Sequence, residues 1–256
     1  MKKEIKKLLR KNKAVMRLFY QMTGIDLEKN KYEWKRSQPT NGAIPADQRR
    51  IKILNILDFT KTSGNEYAAV KYPAGYHEIQ FDGDLIPGQR SPRERLDLVP
   101  LDFSGKSILD IGCNQGGMIF GCCNNAKWAV GLDYDYRMIN ACNLIARELN
   151  HKNCSFFVFD IDRDPHVIIE DLIPEQKVDV VMLLSVCKWV EKWDNLIQFL
   201  PSITSTLVFE SNGTDREQTE QIECVERNFR EVRLLNDRGH QDGQRLKRKL
   251  FLANNL

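Results

Sequence analysis

Ile108-Leu109-Asp110-Ile111-Gly112-Cys113-Asn114-Gln115-Gly116-Gly117 decides the fold: an apolar strand runs straight into a glycine-rich turn that opens a helix. Glycines at such a turn let the backbone approach a ligand closely at the carboxyl edge of a parallel sheet. The glycine loop itself carries no Walker-type glycine-lysine-serine/threonine, so a phosphate-cradling P-loop is excluded. The spacing Gly112-x-x-x-Gly116 also fails the G-x-G-x-x-G pattern of dinucleotide folds. Asp133 closes Val130-Gly131-Leu132-Asp133, 21 residues after Gly112, where an acidic side chain accepts ribose hydroxyls in folds of this kind.

Around this stretch, short β-rich runs alternate with helical periodicity, the signature of a parallel α/β sheet. Strands are expected at 107–111, 128–132, 154–159, 178–184 and 204–209, and helices at 117–125, 136–149, near 167–171, 190–200 and 215–228. Two further strand-like runs, 231–235 and 247–253, are joined by a link containing Gly239 and Gly243, too short for a helical crossover. The expectation is a doubly wound, mostly parallel seven-stranded α/β sheet with an antiparallel C-terminal hairpin and an N-terminal helical extension. Residues 1–75 would form the extension and 76–256 the cofactor-binding domain.

With Asp110 ahead of the first glycine, the loop resembles the D/E-x-G-x-G-x-G signature of class I S-adenosylmethionine-dependent methyltransferases, and the terminal hairpin is similar to theirs. Asn114 stands where the family usually has its middle glycine; asparagine enters left-handed backbone conformations readily, so the turn is tolerated. The resemblance spans residues 104–256 and implies S-adenosylmethionine as cofactor. It places Asp110, Gly112, Cys113, Asn114 and Gly116 in the cofactor loop and Asp133 on the ribose. Tyr134 would flank the adenine, Asp160 and Ile161 would meet its edge, and Leu184 and Ser185 would lie beneath the methionine part.

Methyl transfer from a sulfonium is an in-line displacement in which alignment supplies much of the rate, so a catalytic base is optional. Lys188 and Trp189, after the fourth strand, are acceptor-pocket candidates and are similar to a segment of RNA methylphosphate-capping methyltransferases. Tyr76, His77, Gln89 and Arg90 lie in a turn-rich segment resembling the lead-in of tRNA wobble-uridine methyltransferase-like proteins. That resemblance implies a lid over cofactor and acceptor. Arg95 reads more simply as a partner of Glu94 or Asp97. Asp160-x-Asp162-x-Asp164 opens like a calcium loop, but Pro165 stands where glycine is required, and no metal site is expected.

The first 20 residues carry six lysines and two arginines against Glu4, a net +7 within an overall +3, so the remainder balances at −4. A slightly acidic body does not suit a body-wide phosphate-binding surface. Residues 3–22 read as a basic amphipathic helix with three readings: docked on the domain, or in contact with RNA, or with a membrane surface. The apolar runs are too short for a transmembrane helix. Seven cysteines without a C-x-x-C pair fit a reducing, cytoplasmic setting. The expected function is methylation of an O or N atom on a polar small-molecule or glycan acceptor. The rival readings are an RNA (tRNA-like) methyltransferase and an inactive methyltransferase-like binding subunit. Oligomeric state is not encoded.

Overall fold

The computed structural model describes residues 48–61, 72–81, 84–237 and 248–255. The basic helix expected at 3–22, most of the extension and the link holding Gly239 and Gly243 lie outside the described residues. The helices are α1 (Gln48–Asp58), α2 (Pro92–Leu96), α3 (Gly117–Cys122), α4 (Tyr136–Glu148), α5 (Ile168–Leu172), α6 (Trp193–Phe199) and α7 (Asp215–Asn228). The strands are β1 (Ile79–Phe81), β2 (Asp84–Ile86), β3 (Ser107–Ile111), β4 (Trp128–Asp133), β5 (Cys154–Val158), β6 (Val180–Leu184), β7 (Thr206–Glu210), β8 (Glu231–Asn236) and β9 (Leu250–Asn254).

Strands β3 to β9 form one seven-stranded sheet in the order β5-β4-β3-β6-β7-β9-β8. The first five run parallel; β9 is antiparallel to both β7 and β8 and inserts between them. Every residue of β3, β6 and β7 is buried, as continuous apolar runs require when helices cover both faces. Edge strand β8 instead exposes Glu231 and Arg233, charges that discourage pairing with another chain. Alternation along β3 sends Ile108 to the core shared with α1, α3 and α4, and Leu109 to the core shared with α6 and α7. Asp110 falls between these apolar residues, flanked in the ladder by Gly131 and Met182.

The expected strand and helix positions hold, with informative shifts. The run from residue 178 joins the ladder only at Val180, because Val178 makes an isolated bridge to Thr204. The helix expected from residue 190 begins at Trp193: the Asp162 carboxylate takes the N–H groups of Glu191 and Lys192, fixing that stretch as a separate turn. Two elements arise where a loop was expected, the β1–β2 hairpin and α2. Helix α2 starts where Ser91 caps the Glu94 N–H and Pro92 supplies a preset φ, a start signal present in the sequence.

Helix α1 is part of the core. Ile53 and Leu57 are fully buried in the same cluster as Ile108, Ile145 and Met182. Replacing Leu57 by Ala is expected to cost about 3 kcal/mol through lost burial and a residual cavity, measured as a shift in the denaturant midpoint at unchanged slope. A shift near zero would mean that α1 is not integral.

Candidate active site

The glycine loop is held in left-handed backbone at Gly112 (φ 83°), Asn114 (φ 51°) and Gly116 (φ 72°). Asparagine therefore does at 114 what was expected of it. Gly112 is irreplaceable on space as well: a Cβ there would stand 2.4 Å from Cγ2 of Val186. The N–H groups of Gly112 and Cys113 both donate to the Leu132 carbonyl, fastening the loop to the end of β4. The Asp133 carboxylate accepts the N–H of Asn114 on one oxygen and that of Asp135 on the other, each at 2.9 Å. Ionised, it keeps acceptor capacity on both oxygens for a ligand's hydroxyls.

Gln115, fully buried, joins three parts of the chain. Its amide nitrogen donates to Oγ1 of Thr60 at 2.6 Å, and its amide oxygen accepts the N–H groups of Tyr76 at 2.8 Å and His77 at 3.3 Å. The segment before the hairpin is thereby drawn over the loop. His77 packs so closely on α3 that a Cβ at Gly117 would lie 2.5 Å from its side chain.

These contacts enclose a cavity of about 530 Å³ at the carboxyl ends of β3, β4 and β6, a size suited to a nucleotide-like ligand. Asp133, Tyr134, Phe159, Asp160 and Ile161 line one end, and Asp110, Gly112, Asn114, Leu184 and Ser185 the middle. Tyr76, His77, Trp189, Arg95 and Arg248 complete the wall. Of the residues read from sequence, five do not line this cavity. Cys113 is buried behind the loop against Cys142 and Gly131, and Gly116 faces Phe156, Cys142 and Phe120. Gln89 is exposed, its N–H bonded to the Gly75 carbonyl. Arg90 stands behind Tyr76, to which its side chain is hydrogen-bonded. Lys188 is exposed, with Nζ 5.1 Å from the centroid of the Trp189 ring. The carboxylates of the calcium-like run are committed to backbone: Asp160 accepts the Asp162 N–H, Asp164 the Asp160 N–H, and Asp162 those of residues 191 and 192.

Several site residues escaped sequence reasoning. Arg95 does not pair locally; it spans the cavity wall to Glu210 at 3.2 Å, while Arg93 takes Asp97. Arg248 reaches the same carboxylate at 3.9 Å and donates to Oγ of Ser185 at 3.1 Å. Glu210 ends β7, so the strand-end rule that picked out Asp133 would also have found it. Asn212 holds the turn after β6, donating to the Ser185 carbonyl and accepting the Lys188 N–H.

Electrostatically the site is set by burial. Asp110 is pushed up to about 7, chiefly by desolvation, with Arg95 opposing and Asp133 adding to the rise. His77 is lowered to about 3 by burial and then by Arg95 and Arg90, so its ring is neutral at pH 7. Burial pushes the thiols of Cys113 and Cys187 up, which leaves them unreactive packing groups. Three buried polar atoms of cavity-lining residues have no hydrogen-bond partner among the described residues: Oδ2 of Asp110, Oδ1 of Asn114 and Nδ1 of His77. Such atoms are costly unless a ligand satisfies them.

A family model described as a methyltransferase domain matches residues 102–247, more than half of the chain. The chain belongs to that family, and with this sheet order it is a class I methyltransferase whose cofactor is S-adenosylmethionine. Among solved structures, the N-terminal domain of EvdMO1 with SAH bound matches at TM-score 0.54 and 11% identity, covering 69% of this chain and 90% of that one. The same domain has been crystallised in the presence of SAH and D-fucose and matches at 0.53 and 11%, covering 69% and 89%. WbdD, described as a bifunctional kinase-methyltransferase, matches at 0.57 and 22%, covering 79% of this chain and 46% of that one. The chain thus spans less than half of WbdD and 43% of the longer EvdMO1 chain. These likenesses establish the fold. No curated protein matches the sequence.

A cofactor whose ammonium faces the raised Asp110 would bind in a pH-dependent way. A cationic ammonium favours its ionised form, whereas a rise to about 7 leaves the cofactor-free carboxyl mostly protonated at pH 6. SAH affinity is therefore expected to fall about tenfold between pH 8 and pH 6, and Asp110→Asn to flatten the profile; calorimetric titrations at both pH values check it. Without cofactor the linkage has the opposite sense. A carboxyl raised above its unfolded value favours folding at low pH, and that contribution is lost as pH rises from about 4 through about 7.

Proposed function

We propose that this methyltransferase transfers the methyl group of S-adenosylmethionine to a hydroxyl oxygen of a sugar or glycan. The observation that carries the reading is the cavity's second end. Trp189, half exposed at 51%, lines the cavity together with neutral His77 and the polar side chains of Tyr76 and Ser185. A sugar suits that wall, because its C–H face packs on the negative face of an aromatic ring while its hydroxyls take the polar partners. The D-fucose associated with the EvdMO1 domain supports the same acceptor class.

In this reading Asp133 holds both ribose hydroxyls, Tyr134 covers the adenine, and Asp160 with the Ile161 backbone meets its edge. Asp110 faces the amino group of the methionine part, the Gly112–Asn114 backbone follows its chain, and Leu184 and Ser185 support it from below. When bound, the cofactor would supply an electrophilic methyl group, its C–S electron pair staying on sulfur as the acceptor oxygen takes the methyl and sheds its proton to solvent. His77, buried and neutral, backs the acceptor end of the cavity with its ring pressed on Gly117. The lead-in segment pinned by Gln115 excludes water. Residues 76–256 carry the cofactor domain and 1–75 an extension whose α1 docks on it. Seven free cysteines suit a reducing cytoplasm.

The test is transfer of tritiated methyl from S-adenosylmethionine to a panel of hexoses, 6-deoxyhexoses, nucleotide sugars, polysaccharide and bulk tRNA. Label is expected on a sugar-containing acceptor, with His77→Ala lowering turnover at least tenfold. Label on tRNA alone would replace the acceptor by RNA. SAH binding with no transfer to any acceptor class would support the inactive-subunit reading.

A further inference from the structure

The turn after β6 is held in a backbone conformation that its own sequence does not favour. Among the described residues, three other than glycine have positive φ: Asn114, Asn150 and Ser185, the last at 59°. Asparagine enters the left-handed region readily, whereas serine does so at a cost that its surroundings must offset. Each polar group of Ser185 is accordingly bonded. Its N–H donates to the Glu210 carbonyl at 2.9 Å, its hydroxyl donates to the Glu210 carboxylate, and Arg248 donates to that hydroxyl at 3.1 Å. Its carbonyl accepts Nδ2 of Asn212 at 2.6 Å. Oδ1 of the same amide accepts the Lys188 N–H at 2.9 Å, in the middle of the short turn Cys187–Trp189. Asn212 is buried and is itself clamped by Gln221 of α7, whose side chain accepts the Asn212 N–H at 3.0 Å and donates to its carbonyl at 2.8 Å.

This turn carries the wall that meets the glycine loop. Ser185, Val186, Trp189 and Val190 line the cavity, and a Cβ on Gly112 would stand 2.4 Å from Cγ2 of Val186. Asn212 does not line the cavity. We propose, resting on the reading of this cavity as the cofactor site, that Asn212 is a positioning residue for S-adenosylmethionine: it holds Ser185 in left-handed backbone and so keeps Val186 seated against Gly112 beside the methionine part of the cofactor. Without the amide, Ser185 relaxes to negative φ, and the residues that follow it leave the glycine loop. The side chain suits the task because it offers a donor to one backbone group and an acceptor to another, which a carboxylate of the same shape cannot do. Cofactor affinity thus depends on a residue that touches neither the cofactor nor the cavity.

The experiment is calorimetric titration of the full chain with SAH, on wild type, Asn212→Ala, the double variant Asn212→Ala with Ser185→Gly, and Asp133→Ala, with a denaturant midpoint measured for each to show that it is folded. Asn212→Ala is expected to weaken SAH binding roughly tenfold, the cost of holding one serine left-handed without its support. Adding Ser185→Gly removes that cost, because glycine occupies the region freely, and is expected to recover about threefold of the affinity even though it deletes a hydroxyl. If Asn212 served stability alone, the second substitution would add to the loss instead of reversing it. Wild-type affinity in Asn212→Ala would overturn the proposal, as would a double variant that binds no better than the single one. If those results come with binding lost in Asp133→Ala, the cofactor site stands and only the role of Asn212 falls. Unchanged affinity in Asp133→Ala would place SAH elsewhere and overturn both. Should Asn212→Ala fail to fold, Asn212→Asp keeps the acceptor for Lys188 and removes the donor to Ser185, and is expected to show the same loss and the same recovery.

Discussion

The site depends on one buried amide. Gln115 lies inside the glycine loop and spends its side chain on Thr60 and on the backbone of Tyr76 and His77, so a single group making three hydrogen bonds ties the α1 region and the lid to the turn. A buried amide left half-bonded would cost its desolvation, which makes the arrangement all-or-none. His77 is then pressed onto Gly117, and Tyr76 follows it to the cavity wall with Arg90 bonded behind. The cover over the cofactor is thus built from chain that precedes the sheet by some 30 residues in sequence, held by a residue of the loop it covers.

Charge is arranged in the same economical way. Acidic groups stand at the strand ends, Asp110 on β3, Asp133 on β4 and Glu210 on β7, and each meets a different demand. Asp133 is held by backbone N–H groups, Asp110 is left with a bare oxygen, and Glu210 is clasped by arginines. Burial raises the proton affinity of Asp110 and, against its backbone hydrogen bonds, that of Asp133.

The sheet was legible because central strands are buried on both faces and so write themselves as unbroken apolar runs. The loop was legible because its backbone conformation restricts which residues can occupy it. Asp133, Tyr134, Asp160, Leu184 and Ser185 were expected at strand ends from the resemblance to class I methyltransferases, and all reach the cavity. What stayed hidden depends on contacts distant in sequence. Arg95 reads as a local ion-pair partner, and only the tertiary fold carries it to Glu210, 115 residues away. Cys113 and Gly116 sit within the motif yet face inward, since alternate positions of a tight turn point to opposite sides. The β1–β2 hairpin was missed because strands of three residues leave no periodicity to read.

The account stands on the cavity at the glycine loop being the S-adenosylmethionine site. Calorimetric titration of SAH into the wild-type chain and into Asp133→Ala tests this most directly. Roughly micromolar binding, about −8 kcal/mol, lost in the variant is the predicted result. Equal affinity in the two proteins, or no binding to a folded, ligand-free wild type, would contradict it.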